Sequence, residues 1–182
     1  MDDIQHKLNA LLKKQDFDGA LQYLESQKEQ IDTPEWRYLQ SSILYQQQHT
    51  GIAKNLLKKN IEEYPEHAKS YLNYSVILWQ DENKENALSY AKKARNINTN
   101  DIEAHINVID MCMALNDKDQ ALEAILYALE FFEGYPAGLK LAATIYMERE
   151  EWIKAKYYID LLDVYTEDHS NEINALRSLL PT

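Results

Sequence analysis

The sequence predicts an all-α protein in which similar pairs of antiparallel helices are stacked one after another. Four alanines, Ala53, Ala87, Ala121 and Ala155, are separated by 34 residues each time. A fixed period of about 34 residues with two helices per period is typical of a stacked repeat array. Only four Gly and four Pro occur in 182 residues, which is too few for a sheet protein with many tight turns.

Apolar residues at helical spacing divide the chain into units, each with a helix A, a short polar turn and a helix B. Ala20 precedes Ala53 by 33 residues, so the first unit is one residue shorter than the others. The turn of the second unit, from Gln46 to Gly51, reads as one residue longer than the later turns. We predict one domain over residues 1–182, with units over about 1–32, 33–67, 68–101, 102–135 and 136–168 and a capping helix over 169–180.

The last helix is amphipathic and short. Ile173, Leu176 and Leu179 lie on one side, and the other side is polar. A stack of repeats leaves its final apolar face open, so a half-polar helix is expected to cover it.

Composition excludes several classes of function. The net charge of −11 disfavours nucleic-acid binding and an anionic membrane surface, because both carry negative charge. Cys112 is the only cysteine, so an intrachain disulfide and a cysteine-based metal site are both excluded. The N-terminus is acidic and no apolar run reaches the length of a membrane span. We therefore expect a cytoplasmic protein that does not insert into membranes.

Three segments carry a recognisable motif in their A helices: Trp36-x2-Leu39, Tyr71-x2-Tyr74-Ser75-x2-Leu78 and Leu139-x2-Ala142-Ala143-x2-Tyr146. The B helices carry Ala-x3 followed by Leu57, Ala91, Ile125 or Ile159, and Pro65 closes the second unit. This pattern resembles the tetratricopeptide repeat (TPR) family, whose consensus is W-x2-L-G-x2-Y, then A-x3-F, then P. Thr99 and Glu133 replace the closing proline in the next two units.

The resemblance implies a right-handed superhelical array of antiparallel helix pairs with a C-terminal capping helix. In such arrays the A helices line a concave groove that holds a peptide or a helix of another protein. The positions next to the buried stripe of each A helix are then the candidates for partner binding. They are Gln5, Asn9, Arg37, Ser41, Leu72, Val76, Trp79, Ile106, Asp110, Met113, Lys140, Thr144 and Met147.

The middle of this candidate groove is apolar, and Trp79 and Met113 are of the types that anchor interfaces. The resemblance also argues against one subclass. TPR domains that grip a C-terminal carboxylate use lysine and asparagine pairs on the first groove helices. Here Gln5 replaces the first lysine, Asn9 matches, and Leu72 and Val76 lie where cations would be needed.

Motifs of catalysis and cofactor binding are missing from the sequence: it has no phosphate loop, nucleophile elbow or His-Glu-x-x-His. The histidines, His6, His49, His67, His105 and His169, are scattered along the chain, and His105 occupies a core position. We therefore expect no enzyme, cofactor or metal.

The leading hypothesis is an adaptor that binds a segment of another protein, chiefly through units three and four. The alternatives are a dedicated chaperone for an aggregation-prone secreted or membrane-inserting client, and a scaffold that assembles with copies of itself. An unrecognised enzyme would need ionisable groups in the groove, where Asp110 with Lys140 is the one pair to nominate.

Overall fold

The computed structural model of the chain describes residues 2–166 and 170–181. His169 and the predicted start of the capping helix at that residue lie outside these ranges. Within the described part, eleven α-helices occur and no strand does, which confirms the all-α fold of paired helices.

The chain divides into two compact bodies, Met1–Asn98 and Thr99–Thr182, which are described separately. The single domain expected from the sequence stays a prediction. The first body contains α1 (Asp2–Lys13), α2 (Phe17–Ser26), a short 3-10 helix (Lys28–Gln30), α3 (Thr33–Gln46), α4 (Thr50–Glu63), α5 (Ala68–Gln80) and α6 (Lys84–Ile97). The second contains α7 (Ile102–Ala114), α8 (Lys118–Leu129), α9 (Pro136–Glu148), α10 (Trp152–Tyr165) and α11 (Ser170–Ser178).

Within each body every helix packs against its neighbours in sequence. The two helices of a unit are joined by three residues in all five units, so each pair must run antiparallel. The longer turn predicted for the second unit is therefore wrong. Thr50 and Gly51 begin α4 instead of extending the turn, which leaves Gln47, Gln48 and His49 between the helices.

The middle residue of every such turn has a left-handed backbone. Its φ lies between 56° and 66° at Gln15, Gln48, Glu82, Asn116 and Glu150, positions that repeat every 33 or 34 residues. The next residue precedes helix B, and in two units it is an aspartate that caps the helix. Asp16 accepts from Gly19 N at 3.0 Å and Asp117 accepts from Gln120 N at 2.9 Å.

Small residues at the start of each helix B bring the paired helices together. Ala20, Ala53, Ala87, Ala121 and Ala155 are all fully buried, as the repeat predicts. The A helices contribute large apolar side chains such as Leu39, Leu78 and Leu139, which are also buried.

The two ends of the chain depart from the regular unit. In the first unit α2 stops at Ser26 and Lys28–Gln30 forms a 3-10 helix, which accounts for its shorter repeat. At the other end Ile173 of α11 packs against Leu139, Ile159 and Leu162, so α11 covers the last pair as predicted. Leu179 does not take part: it follows the helix and is 65% exposed.

A buried polar network ties three helices of the first body together. Glu35 of α3, 6% exposed, accepts from Lys69 Nζ at 2.8 Å and from His67 Nε2 at 3.1 Å. Because a carboxylate only accepts, Nε2 of His67 donates this hydrogen bond, and Nδ1 of the same ring is hydrogen-bonded to Ser70 Oγ at 2.8 Å. Asn60 of α4 donates to the same Ser70 hydroxyl at 2.7 Å.

Replacing Ala121 by leucine should destabilise the second body by about 1–3 kcal/mol, because the larger side chain overpacks the contact between α7 and α8. The midpoint of urea unfolding measures the effect. Ala114→Leu, at an exposed position of α7, is the matched control and should change stability by less than about 0.5 kcal/mol. Equal effects of Ala121→Leu and Ala114→Leu would contradict the close approach of α7 and α8.

The network also predicts a pH dependence of stability. Burial raises the pKa of Glu35, but the hydrogen bonds from His67 and Lys69 and the charge of Lys69 outweigh it and hold that pKa below its ordinary value. A lowered folded-state pKa stabilises the fold above the unfolded pKa, about 4.3, and this contribution is lost as pH falls through the folded pKa. Glu35→Gln should therefore cost about 1–3 kcal/mol at neutral pH.

Urea unfolding of wild type and Glu35→Gln at a series of pH values tests this. The difference in unfolding free energy should shrink below about pH 4, where the wild-type carboxylate also becomes protonated. A difference that stays constant from neutral to acidic pH would show that the charge of Glu35 contributes nothing.

Candidate protein-binding site

The first body contains a cavity of about 330 Å³ on the side formed by its A helices. We call it the α1–α3–α5 cavity. Leu39, Ile43 and Ile77 supply an apolar floor, and all three side chains are buried. They lie there because the buried stripe of each A helix continues towards its neighbouring A helix, where no further helix covers it.

Neutral polar groups surround this floor. The polar side chains that line the cavity are Gln5, Asn9, Tyr38, Ser41, Ser42, Tyr45, Gln46 and Asn73. Asn73 Nδ2 donates to Ser42 Oγ at 2.8 Å, and Gln5 Nε2 donates to Asn9 Oδ1 at 3.5 Å. No Asp, Glu, Lys or Arg side chain is among the described residues that line it. In a chain of net charge −11, the cavity is a neutral region.

The structure brings four of the predicted groove residues together in this cavity: Gln5, Asn9, Ser41 and Val76. Asn9 is exposed at the rim and Val76 is half-buried. Ser41 is fully buried and donates to Tyr38 O at 2.7 Å, so its hydroxyl is already engaged.

Three other predicted residues of the first body lie elsewhere. Arg37 points at α4, where Nη1 donates to Asn60 Oδ1 at 3.2 Å and to Glu63 Oε2 at 2.9 Å. Leu72 is buried in the core. Trp79 lies near the start of α6, with Lys84 Nζ 5.6 Å from the centre of its ring. None of the three lines the cavity.

The predicted residues of the second body are not gathered in a comparable way. Lys140 forms an ion pair with Glu172 of the capping helix, and Thr144 Oγ1 donates to Lys140 O at 2.9 Å. Met147 packs against the core that contains Leu139. Ile106 and Met113 are half-buried.

The pair nominated for catalysis does not form as an ion pair. Lys140 is engaged with Glu172. Partial burial raises the pKa of the Asp110 carboxyl, and burial, with a smaller contribution from the charge of Asp110, raises the pKa of Tyr135.

Sequence reasoning missed Tyr38, Ser42, Tyr45 and Asn73, which line the cavity. Of the positions predicted on α3, Ser41 lines the cavity, but Arg37 does not and its neighbour Tyr38 lines it instead. The same shift appears on α5, where Asn73 lines the cavity and Leu72 does not. One sequence feature could have identified this lining: Ser42 and Asn73 are polar residues that each stand beside a buried position.

The Glu35–His67–Ser70 chain of hydrogen bonds has the connectivity of a nucleophilic triad but not its accessibility. Ser70 is fully buried and also receives the hydrogen bond from Asn60, so its hydroxyl cannot meet a substrate. His105 is also a core residue. It is fully buried among Tyr127, Phe131 and Phe132, and its Nε2 donates to Thr99 O at 3.0 Å.

The described residues contain no group of three or more His, Cys, Asp or Glu side chains placed to hold a metal ion. None of their helices combines the length and the apolar character that crossing a bilayer requires.

Comparison with known proteins gives similarity in structure without similarity in sequence. No protein-family model and no curated protein matches the chain. Among solved structures, MamA is 17% identical, with 94% of this chain and 96% of that chain covered and a TM-score of 0.66. PilF of Pseudomonas aeruginosa is 14% identical, covers 98% and 86%, and has a TM-score of 0.70.

A third solved structure is YrrB, described as a TPR protein with an unusual peptide-binding site. It is 20% identical, with 93% of this chain and 88% of that chain covered and a TM-score of 0.62. At these identities the likeness concerns the fold. Together with the 34-residue period, the buried alanines and the three-residue turns, it shows that this chain has the tetratricopeptide-repeat fold.

Proposed function

We propose that this protein is a non-enzymatic adaptor whose first body binds a segment of another protein in the α1–α3–α5 cavity. The observation that carries the proposal is the composition of this cavity, an apolar floor within a ring of neutral amides and hydroxyls. Apolar side chains of a bound segment would gain from burial on the floor. The amides of Gln5, Asn9 and Asn73 both donate and accept, so they suit the peptide groups of a polypeptide.

The absence of charged side chains among the described lining residues refines the proposed partner. A segment that ends in a carboxylate, or carries a phosphate, would find no cation there to compensate its desolvation. The cavity favours an internal, uncharged stretch of a polypeptide. This agrees with the sequence-based argument against a carboxylate clamp.

The volume of about 330 Å³ is at the lower end of the range for ligand sites. The cavity therefore accommodates only a few side chains of the segment, and affinity would come from those anchors. The peptide-binding site named for YrrB supports the proposal by analogy of fold only. A cytoplasmic location is part of the proposal and would be tested by cell fractionation.

The same cavity would serve the two alternative functions, and the captured protein distinguishes them. A chaperone's client would be insoluble when expressed alone and soluble when co-expressed with this chain. A scaffold would capture a second copy of itself, and light scattering at high concentration would show the oligomer. An adaptor's partner folds and stays soluble alone.

Introducing a carboxylate into the cavity should abolish partner capture. Val76→Asp places an uncompensated charge in the cavity, so recovery of the bound protein by affinity purification should fall at least about tenfold. Ile52→Asp is the matched control, because Ile52 lies on α4 of the same body, is 55% exposed and does not line the cavity. Recovery with this variant should equal that of wild type.

A second pair of substitutions, which changes the shape of the side chain less, keeps the test valid if Val76→Asp misfolds. Asn9→Asp changes an exposed rim residue with almost no change of shape, and Asn55→Asp makes the same change on α4. Only the former should weaken binding, with the helical circular dichroism unchanged in both. Wild-type recovery with both Val76→Asp and Asn9→Asp would refute the cavity as the binding site.

A further inference from the structure

The second body carries a groove of its own, formed by α8, α9 and α10. Leu139 is its buried floor, and Leu126, Leu129, Leu161, Tyr157 and Tyr165 line it, enclosing about 520 Å³. We call it the tyrosine–leucine groove. Leu129 and Leu161 also pack against the core beneath, so the groove has a fixed base.

Three exposed apolar side chains lie along α10 beside the groove. Ile153 is 89% exposed, Val164 is 77% exposed and Tyr157 is 58% exposed. The spacing of these residues, i, i+4 and i+11, places them on one face of the helix. Asp160, at i+7 on the same face, is ion-paired with Arg177 of α11, so these exposed apolar side chains lie on either side of a charged residue. Of the three, Tyr157 is the one that lines the groove.

The charges at the groove are all negative. Glu130 and Glu133 line it, and no Lys or Arg is among the described lining residues. Glu130 makes no ion pair within the part of the chain that the structure describes. Glu133 accepts from Tyr165 Oη at 3.2 Å, and this hydrogen bond raises the pKa of Tyr165, so the phenol keeps its proton at neutral pH.

From this combination we propose that the tyrosine–leucine groove binds an amphipathic helix of a partner protein whose apolar face is flanked by lysine or arginine. Leucine-type side chains of that helix pack between α8 and α10, as helices do in apolar grooves. Its cations meet Glu130 and Glu133 at the rim. Charge complementarity favours this occupant over a second copy of the chain, whose net charge is −11.

This site is independent of the α1–α3–α5 cavity proposed above. The cavity is neutral and lies in the first body, whereas the groove is acidic and lies in the second body. The chain would thus select two chemically different segments.

The probe is a synthetic peptide of about 14 residues, roughly four helical turns, with leucines at i, i+3, i+4 and i+7 flanked by lysines. Fluorescence anisotropy measures its binding to the full chain at low and high salt. A second peptide with glutamate in place of each lysine should bind at least about tenfold more weakly at low salt.

Variants locate the binding on the protein. Tyr157→Ala should weaken binding of the lysine peptide about tenfold, as expected for an aromatic anchor. Glu130→Gln should weaken it about threefold at low salt and less at high salt. Glu123→Gln on α8 and Lys156→Ala on α10 are exposed controls outside the lining and should leave the affinity within about twofold.

Several results would overturn the proposal. They include no binding of the lysine peptide, equal binding of both peptides, and equal effects of Glu130→Gln and Glu123→Gln. Loss of binding in Val76→Asp would assign the peptide to the cavity of the first body instead. A dimer in sedimentation that Tyr157→Ala dissociates would make a second copy the occupant. Unchanged circular dichroism of each variant would show that its loss of binding does not come from misfolding.

Discussion

The fold depends on how closely the two helices of each unit approach. A methyl group at the start of each helix B lets its backbone lie against helix A, and the five alanines at this place are fully buried. The close-packed interior cannot absorb a larger side chain there without moving one helix. The repeat of about 34 residues is therefore the spacing at which this packing contact recurs along the chain.

The turns fix the geometry that the alanines require. Each turn has three residues with a left-handed residue in the middle, and none of the five is glycine. A left-handed backbone costs a residue with a Cβ atom some free energy, so the packing of the paired helices must hold these turns in place. Asp16 and Asp117 then cap the following helix, which adds local support where the chain reverses.

Polar side chains divide into those that hold the fold and those that line the cavity and the groove. Inside the first body, one network of hydrogen bonds joins Glu35, His67, Ser70 and Asn60, so these polar groups are engaged within the fold. The amides at the α1–α3–α5 cavity and the carboxylates at the tyrosine–leucine groove face solvent instead. The two surfaces differ in charge, and with the functions proposed above they would bind different polypeptide segments.

The sequence by itself determined the helix pairs, the buried alanines and the covering role of Ile173, because each follows from a periodic core pattern that only one register satisfies. Tertiary structure alone decided which residues line the cavity and the groove. A core stripe does not specify the angle at which neighbouring helices meet, so Tyr38 and Asn73 line the cavity while Arg37 turns to Asn60 and Leu72 is buried. The groove between α8 and α10 likewise arises from residues far apart in the chain, which no local pattern could bring together.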